Sequence, residues 1–313
     1  MERNKGKNRK NYWLIIISIL MILSLLFLSY TYYKKLKSNI KIEKELKEEL
    51  KISKKEEKSN IKNKNIKSEE IEKLNNIDEL ILKEKEEVFK NAKILEEKIL
   101  NNETEYKIAY ITFDDGPYYN TNKVLEVLKQ YKVKATFFTI GLDKDTCYDN
   151  RQASCKEMYL KEVEGGHTIA NHTYSHLIFR GLYSSTNSFI EQVKKQEELI
   201  KERTGVTTNI IRFPGGSNTA NAFGLKNSII DKLKEMGYGW VDWTAQDGDG
   251  GSVANTTVAW NNLMGSINED IEVILFHDYS SITLQILPKT IEYLQNNNYI
   301  ILPLFYDSVK VNK

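Results

Sequence analysis

From Tyr106 to Lys313, apolar runs of strand length alternate with segments of helical period, and this alternation confines the region to an α/β fold. The strand candidates are Lys107 to Phe113, Ala135 to Gly141, His167 to Asn171, Asn209 to Phe213, Tyr238 to Trp243, Glu272 to His277 and Tyr299 to Phe305. Each except the last is followed by a helical pattern. Val124-Leu125-Val127-Leu128, Phe189-Val193-Leu199-Ile200 and Ile229-Ile230-Leu233-Met236 carry the spacing of amphipathic helices, and Gly165, Gly205 and Gly237 stand where helix C-terminal glycines belong. Seven βα units within about 200 residues describe a barrel or a doubly wound sheet.

The unusual polar residues fall after strand ends. The first strand stops on Asp114-Asp115-Gly116-Pro117, where Gly-Pro turns the backbone and leaves two carboxylates at the strand's C-terminal end. Neighbouring carboxylates repel, so the pair calls for a cation or a shared proton, unless it caps its own backbone in a turn. His172 and His176 follow the third strand, Arg212 to Ser217 the fourth and Asp242 to Asp249 the fifth, while His277 and Asp278 close the sixth. In parallel α/β folds these strand ends face one mouth, so the scattered loci converge.

The chain has four His, and His167, His172 and His176 are clustered. A four-residue spacing on a helical turn aims His172 and His176 at one ion. His167, in Gly165-Gly166-His167-Thr168, reads instead as a strand-start residue satisfied by backbone. One carboxylate of the aspartate pair completes a two-His, one-carboxylate set with open positions for water and substrate, and the other is left to act as a base.

Ahead of this region, Arg3, Lys5, Lys7, Arg9 and Lys10 precede an apolar run from Trp13 to Tyr30, about 18 residues and long enough to cross a bilayer with its flanks. The heavier basic flank is N-terminal, and Trp13, Tyr30, Tyr32 and Tyr33 stand where an aromatic belt forms. Residues 1–12 are therefore expected in the cytoplasm, 13–33 as a single membrane span, and the remainder outside the cell membrane. The run ends without an Ala-x-Ala-like site, so an uncleaved anchor is expected rather than a signal peptide.

Residues 34–105 are rich in Lys, Glu, Ile and Asn, without Pro or Gly, and read as a charged stalk. Ile71, Leu74, Ile81, Val88, Leu95 and Ile99 fall near a heptad stripe interrupted by Asp78 and Lys85, which predicts a helix there. It serves as a spacer or homodimerising arm, or is simply a solvated charged helix. The mixed charge, net +2 for the whole chain, gives no footprint for nucleic acid. Cys147 and Cys155 frame a hydrophilic loop on the extracytoplasmic side, where a disulfide and two thiols are both chemically allowed.

Together Thr112-Phe-Asp-Asp-Gly-Pro117, His172-x-x-x-His176, Arg212-Phe-Pro-Gly-Gly-Ser217 and Leu275-Phe-His277 resemble the polysaccharide deacetylase family, also called the NodB-homology or carbohydrate esterase 4 family. The resemblance spans Tyr106 to Phe305 and assigns residues 106–313 to the catalytic domain. It implies a distorted (β/α)7 barrel and metal-dependent hydrolysis of the N-acetyl groups of amino sugars. Anchoring outside the membrane makes peptidoglycan, at its N-acetylglucosamine, the expected cell-wall glycan.

By the same resemblance Asp115, His172 and His176 hold a divalent metal, zinc in the usual case, with Co2+ or another ion also able to serve. Asp114 is the general base and Arg212 its cationic partner. His277 protonates the leaving amine, and Asp249, or alternatively Asp247, is the partner that raises its basicity. Gly215 and Gly216 replace an aromatic position of many relatives, and their N–H groups are candidates to approach an oxyanion. Tyr118 is a candidate for stacking on sugar rings and Leu275 for lining the substrate site, whereas Trp240 and Trp243 suit core packing. Gly250 departs from the family, which often carries Trp there.

The rival readings are an O-acetyl esterase or chitooligosaccharide deacetylase on the same scaffold, and a catalytically inactive wall-binding scaffold. The presence of Asp114, Asp115, His172, His176 and His277 together speaks against inactivity, because a binding protein need not keep a whole proton-transfer set.

Overall fold

The longest strand, β1 (Lys107–Gly116), carries the aspartate pair at its end and is buried on both faces. In the computed structural model, which describes residues 86–141 and 155–313, it lies within a parallel sheet. The other strands are β2 (Thr136–Thr139), β3 (Thr168–Asn171), β4 (Ile210–Ile211), β5 (Gly239–Trp240), β6 (Ala245–Gln246), β7 (Ile271–His277) and β8 (Tyr299–Leu302). Their order is β5-β4-β3-β2-β1-β7-β6, with β8 also paired to β1. β7 follows one edge of β1 from Ile108 to Asp114. A strand has two edges, so β8, paired at 107–110, and β2, paired at 112–116, share the other.

The sheet curls into a half-barrel whose end strands, β5 and β6, are consecutive in the chain. Between them the backbone changes partners: Val241 N–H donates to Ile211 O at 3.0 Å on one side, and Thr244 N–H to Val273 O at 2.9 Å on the other. Of the expected fifth strand, Tyr238 to Trp243, only Gly239–Trp240 is strand, and β6 follows beyond its end, at Ala245–Gln246, without an intervening helix. This makes eight strands among the described residues, in place of the seven of a regular (β/α)7 barrel.

Alternation along β1 and β7 sorts the core. Ala109, Ile111, Phe113, Ile274 and Phe276 pack outward against the helices, meeting Leu128, Leu263 and Leu287. Ile108, Tyr110, Ile271 and Val273 point inward, with Phe138, Ala170 and Val241. Because both faces are covered, these strands read as continuous apolar runs. Phe113 stacks on Phe137 at 5.2 Å, and truncating a buried Phe of this kind to Ala costs about 3–5 kcal/mol.

The surrounding helices are α1 (residues 86–100), α2 (Thr121–Gln130), α3 (Cys155–Glu164), α4 (Thr186–Thr204), α5 (Ser217–Ala222), α6 (Lys226–Glu235), α7 (Thr256–Ser266) and α8 (Ser281–Asn296). Helix α4 starts where the Ser185 side chain accepts from Ser188 N–H, and it ends on Gly205 at φ 73°. Gly237 follows α6 with φ 76°, whereas after α3 the left-handed residue is Gly166, one beyond the expected Gly165.

The basic flank 1–12, the span 13–33, the stalk up to residue 85 and Cys147 lie outside the described residues. Among the described residues no helix is long and apolar enough to cross a membrane. Residues 86–100, expected within the stalk, pack on the sheet. Ala92 and Ile99 are buried, and Phe89 stacks on Phe305 at 5.3 Å. Glu96 is fully buried and accepts hydrogen bonds from Tyr110 OH and Ser308 Oγ, both at 2.7 Å.

Candidate active site

Parallel strands bring their C-terminal ends to one mouth, and the polar residues singled out in the sequence line it. Adjacent residues of a regular strand point to opposite faces, which would separate Asp114 from Asp115. The register of β1 against β2 slips between Asp114 and Gly116, and Asp115 takes a left-handed φ of 70°. This bulge turns the second carboxylate back toward the first. His172 Nε2 consequently lies 3.6 Å from Asp114 Oδ2 and 3.5 Å from Asp115 Oδ1, and His176 Nε2 is 3.3 Å from the same Asp115 oxygen.

The expected helical turn beneath the two His is absent. They stand on a loop after β3 in which Thr173 (φ 66°) and His176 (φ 52°) are left-handed. Asn171 Oδ1 accepts from Thr173 N–H at 2.9 Å, Gln192 Oε1 accepts from Ser175 N–H at 3.1 Å, and the imidazole centroids come within 5.0 Å. The loop thus achieves the convergence that a helix would have given. His167 is apart from this cluster, buried with Nδ1 accepting from Ala135 N–H at 3.1 Å.

Asp115, His172 and His176 offer ligand atoms all within 4.8 Å of one another. His172 Nδ1 donates to Arg212 O at 2.8 Å, which leaves the Nε2 lone pair facing Asp115. Burial first, and His176 second, push the His172 pKa down to about 3, so the imidazole stays neutral. Asp115 Oδ1 is buried and has no hydrogen-bond partner among the described residues. A buried carboxylate oxygen without a donor is costly unless a cation meets it, so this donor set fits a divalent metal.

Asp114 sits on the other side of the cluster. Arg212, fully buried after β4, donates through Nη1 to Asp114 Oδ1 at 2.8 Å and to Thr112 Oγ1 at 2.7 Å. Its Nε and Nη2 donate to the carbonyls of Val241 and Asp242, and its guanidinium carbon lies 4.2 Å from the Phe138 ring centroid. Burial raises the Asp114 pKa above the ordinary carboxylate value, while Arg212 pulls the other way. The result is a more basic carboxylate held in a fixed orientation.

His277 is the register partner of Asp114 across β1 and β7. Asp249 holds it twice, Oδ1 at 2.7 Å from Nδ1 and Oδ2 accepting the backbone N–H at 2.8 Å. Burial lowers the His277 pKa, but the Asp249 bond and charge, helped by Asp114 and Asp115, outweigh it and raise the pKa to about 9. Asp247, the alternative partner, supports Asp249 from behind and accepts its N–H at 3.0 Å. Thr283 Oγ1 is 2.8 Å from Asp247 and 2.5 Å from Asp249. One hydroxyl has one proton to share between two carboxyls, in keeping with an Asp247 pKa raised to about 7 by burial and by Asp249.

The expected substrate contacts divide. Leu275 is buried on the inner face of β7, two residues below His277. The Tyr118 ring reaches His277 through Tyr279, 5.6 Å from Tyr279, which in turn stacks on the imidazole at 4.9 Å. Gly216, at φ 81°, donates its N–H to Phe213 O at 2.8 Å, so that group is not free for an oxyanion. Trp240 and Trp243 pack against the core, as expected.

Thr283 and Tyr279 were not foreseen, while Thr112 and Asp278, present in the sequence as part of a motif and of a strand end, were given no role there. Asp278 is fully buried, accepts from the Thr121 hydroxyl, and has its pKa raised to about 7 chiefly by burial. Its place directly after His277 was the only signal in the sequence.

A carboxylate tuned to take a proton and an imidazole tuned to give one, on either side of cation ligands, are the equipment of a hydrolase. The family model described as Polysaccharide deacetylase matches residues 101–241, and the chain belongs to this family of carbohydrate esterase 4 hydrolases. It is 30% identical over 204 residues to a peptidoglycan-N-acetylglucosamine deacetylase of Bacillus cereus, covering 63% of this chain and 69% of that one. Among solved structures it resembles the catalytic domain of peptidoglycan N-acetylglucosamine deacetylase from Eubacterium rectale, with TM-score 0.59 and 31% identity over 66% of this chain and 92% of that one. A carbohydrate esterase 4 esterase of Streptococcus mutans gives TM-score 0.57 and 28% identity over 67% and 90%.

Proposed function

We propose that this chain removes the N-acetyl group from N-acetylglucosamine of peptidoglycan, releasing acetate. The observation that carries the reading is the pairing of Asp114 with His277 across neighbouring strands, each tuned by its own partner, Arg212 or Asp249. Asp115, His172 and His176 would hold the divalent ion, zinc in our reading, which when bound acidifies water and polarises the acetyl carbonyl.

Asp114 accepts the proton of the attacking water, while Arg212 fixes the carboxylate and favours its ionised form. As the carbon–nitrogen bond breaks, His277 gives its Nε2 proton to the departing amine, because an unprotonated amine is a very poor leaving group. Asp249 keeps that imidazole charged beforehand. Leu275 and the Tyr118–Tyr279 pair line the substrate side in this reading.

The apolar run 13–30 and its basic flank support a single-pass membrane anchor over 13–33 with the catalytic region outside, next to the cell wall. Protease added to wall-stripped cells should then digest the catalytic region, and its protection would refute this topology. The test of function is mass spectrometry of muropeptides digested after incubation with the metal-loaded full chain. Loss of acetyl from glucosamine is expected; acetate released solely from O-acetyl esters would assign the chain to ester chemistry instead.

A further inference from the structure

The loop that carries His176 also exposes an aromatic side chain that neither folding nor the proposed chemistry uses. Phe179 is 87% exposed, three residues beyond His176 and hence within about 10 Å of it along the chain. The loop is tightly made: Ile178 N–H donates to His176 O, Arg180 N–H and Leu182 N–H to Leu177 O, and Gly181 turns with φ 114°. It also rests on the glycine turn after β4, since Ile178 Cδ1 is 3.2 Å from the position a Cβ on Gly215 would take.

Under Phe179 runs a ladder of rings into the core. Its centroid is 6.3 Å from that of Phe223, which stacks on Tyr183 at 5.3 Å, and Tyr183 stacks on the fully buried Phe189 at 5.4 Å. Tyr183 OH donates to Pro214 O at 2.9 Å, fixing the ladder to the strand end that supplies Arg212. An exposed Phe gains little folding free energy, yet this one stands on a rigid base at the rim of the candidate site.

We propose that Phe179, supported by Phe223, is a sugar-stacking subsite that takes the apolar face of the ring next to the one being deacetylated. This rests on the deacetylase reading and adds to it a dependence on glycan length. Pyranose rings of β-1,4-linked amino sugars present C–H faces, and burying such a face on an aromatic ring removes apolar surface from water on both partners. Leu177, Phe179 and Phe223 are 47%, 87% and 42% exposed, which for side chains of this size amounts to roughly 300 Å² of apolar surface. A stable protein–protein contact needs about 1,000 Å² or more.

The test compares acetate release by the full metal-loaded chain from the β-1,4-linked N-acetylglucosamine hexasaccharide and disaccharide. F179A should raise KM for the hexasaccharide about fivefold to tenfold with kcat within about twofold, and should lower the hexasaccharide-to-disaccharide ratio of kcat/KM by a similar factor. F179W should restore that ratio, and V258A, an exposed apolar residue on α7, should leave it at the wild-type value. An unchanged ratio in F179A would overturn the subsite while leaving the deacetylase reading intact. A wild-type chain that releases no acetate from either sugar would overturn that reading. Calorimetry with the hexasaccharide then decides the subsite by itself, since equal or absent binding in wild type and F179A refutes it.

Discussion

Asp249→Asn takes a negative charge from the group that holds both Nδ1 and the backbone N–H of His277, and leaves the shape of the side chain nearly unaltered. Burial alone pushes this imidazole down, and Asp249 supplies the two largest opposing contributions, by hydrogen bond and by charge. Without them the pKa should fall from about 9 to the ordinary value of about 6.5 or below. Only the charged imidazole can protonate the leaving amine, so turnover follows its charged fraction. At about pH 8 that fraction is roughly 90% for a pKa of 9 and roughly 3% for 6.5, a loss of about thirtyfold. At about pH 5.5 both forms are mostly charged, and the loss should shrink to about twofold or less. The sign is therefore fixed: the variant fails on the alkaline side and recovers on the acid side. A kcat–pH profile on an N-acetylglucosamine oligomer, with metal content measured at each pH, reads this directly. An alkaline limb that stays near pH 9, or an equal loss at every pH, would refute tuning by Asp249 and reduce it to a positioning role.

Chelation should abolish acetate release, and Asp115→Ala, His172→Ala and His176→Ala should each lower metal content. Asp114→Asn should retain the metal and lose about 10²–10⁴-fold in kcat, because an amide cannot take the proton of water. His277→Ala should depress N-acetyl hydrolysis about 10²-fold or more and activated O-acetyl esters far less, since an alkoxide leaves without an acid; equal losses would argue that His277 is not the leaving-group acid. Glu96→Ala should lower stability by about 2–4 kcal/mol, read as a drop in Tm, because it strips the buried Tyr110 and Ser308 hydroxyls of their acceptor. An unaltered Tm would mean that water replaces the carboxylate without loss.

The strand positions were legible because parallel strands covered on both faces are apolar over their central residues, as Ile108 to Ile111 and Val273 to Phe276 are. The division at Val241–Thr244 was not, since a change of hydrogen-bonding partner depends on strands about 30 residues away on either side and leaves no local pattern. The His172–His176 spacing pointed to convergence correctly but to a helix wrongly. A loop with two left-handed residues can bring the same positions together, and nothing in Thr173-Tyr174-Ser175 reveals a positive φ. Glu96 lay hidden for another reason: within a run of Lys and Glu, one buried carboxylate looks like its solvated neighbours. Asp249 and Asp247 could be told apart only by which of them meets the imidazole.

Gly250 was legible as a departure from the family, and the structure supplies its physical content. A Cβ built there would lie 2.8 Å from His277 Cε1, so the main chain itself packs against the imidazole. Tyr279 stacks against the same ring at 4.9 Å, and together the two contacts restrict its rotation and keep Nε2 directed toward Asp115, 3.9 Å away. Orientation of the acid is thus set by packing at residues 250 and 279, and its charge by Asp249. The two can be separated. Gly250→Ala must displace the ring without removing any charge, so its loss of kcat should be the same across the pH range and its alkaline limb should remain near that of the wild type. Asp249→Asn should move the limb. A shifted limb in Gly250→Ala would mean that contact with the backbone, through desolvation, also tunes the proton, and that position and charge at His277 are not independent.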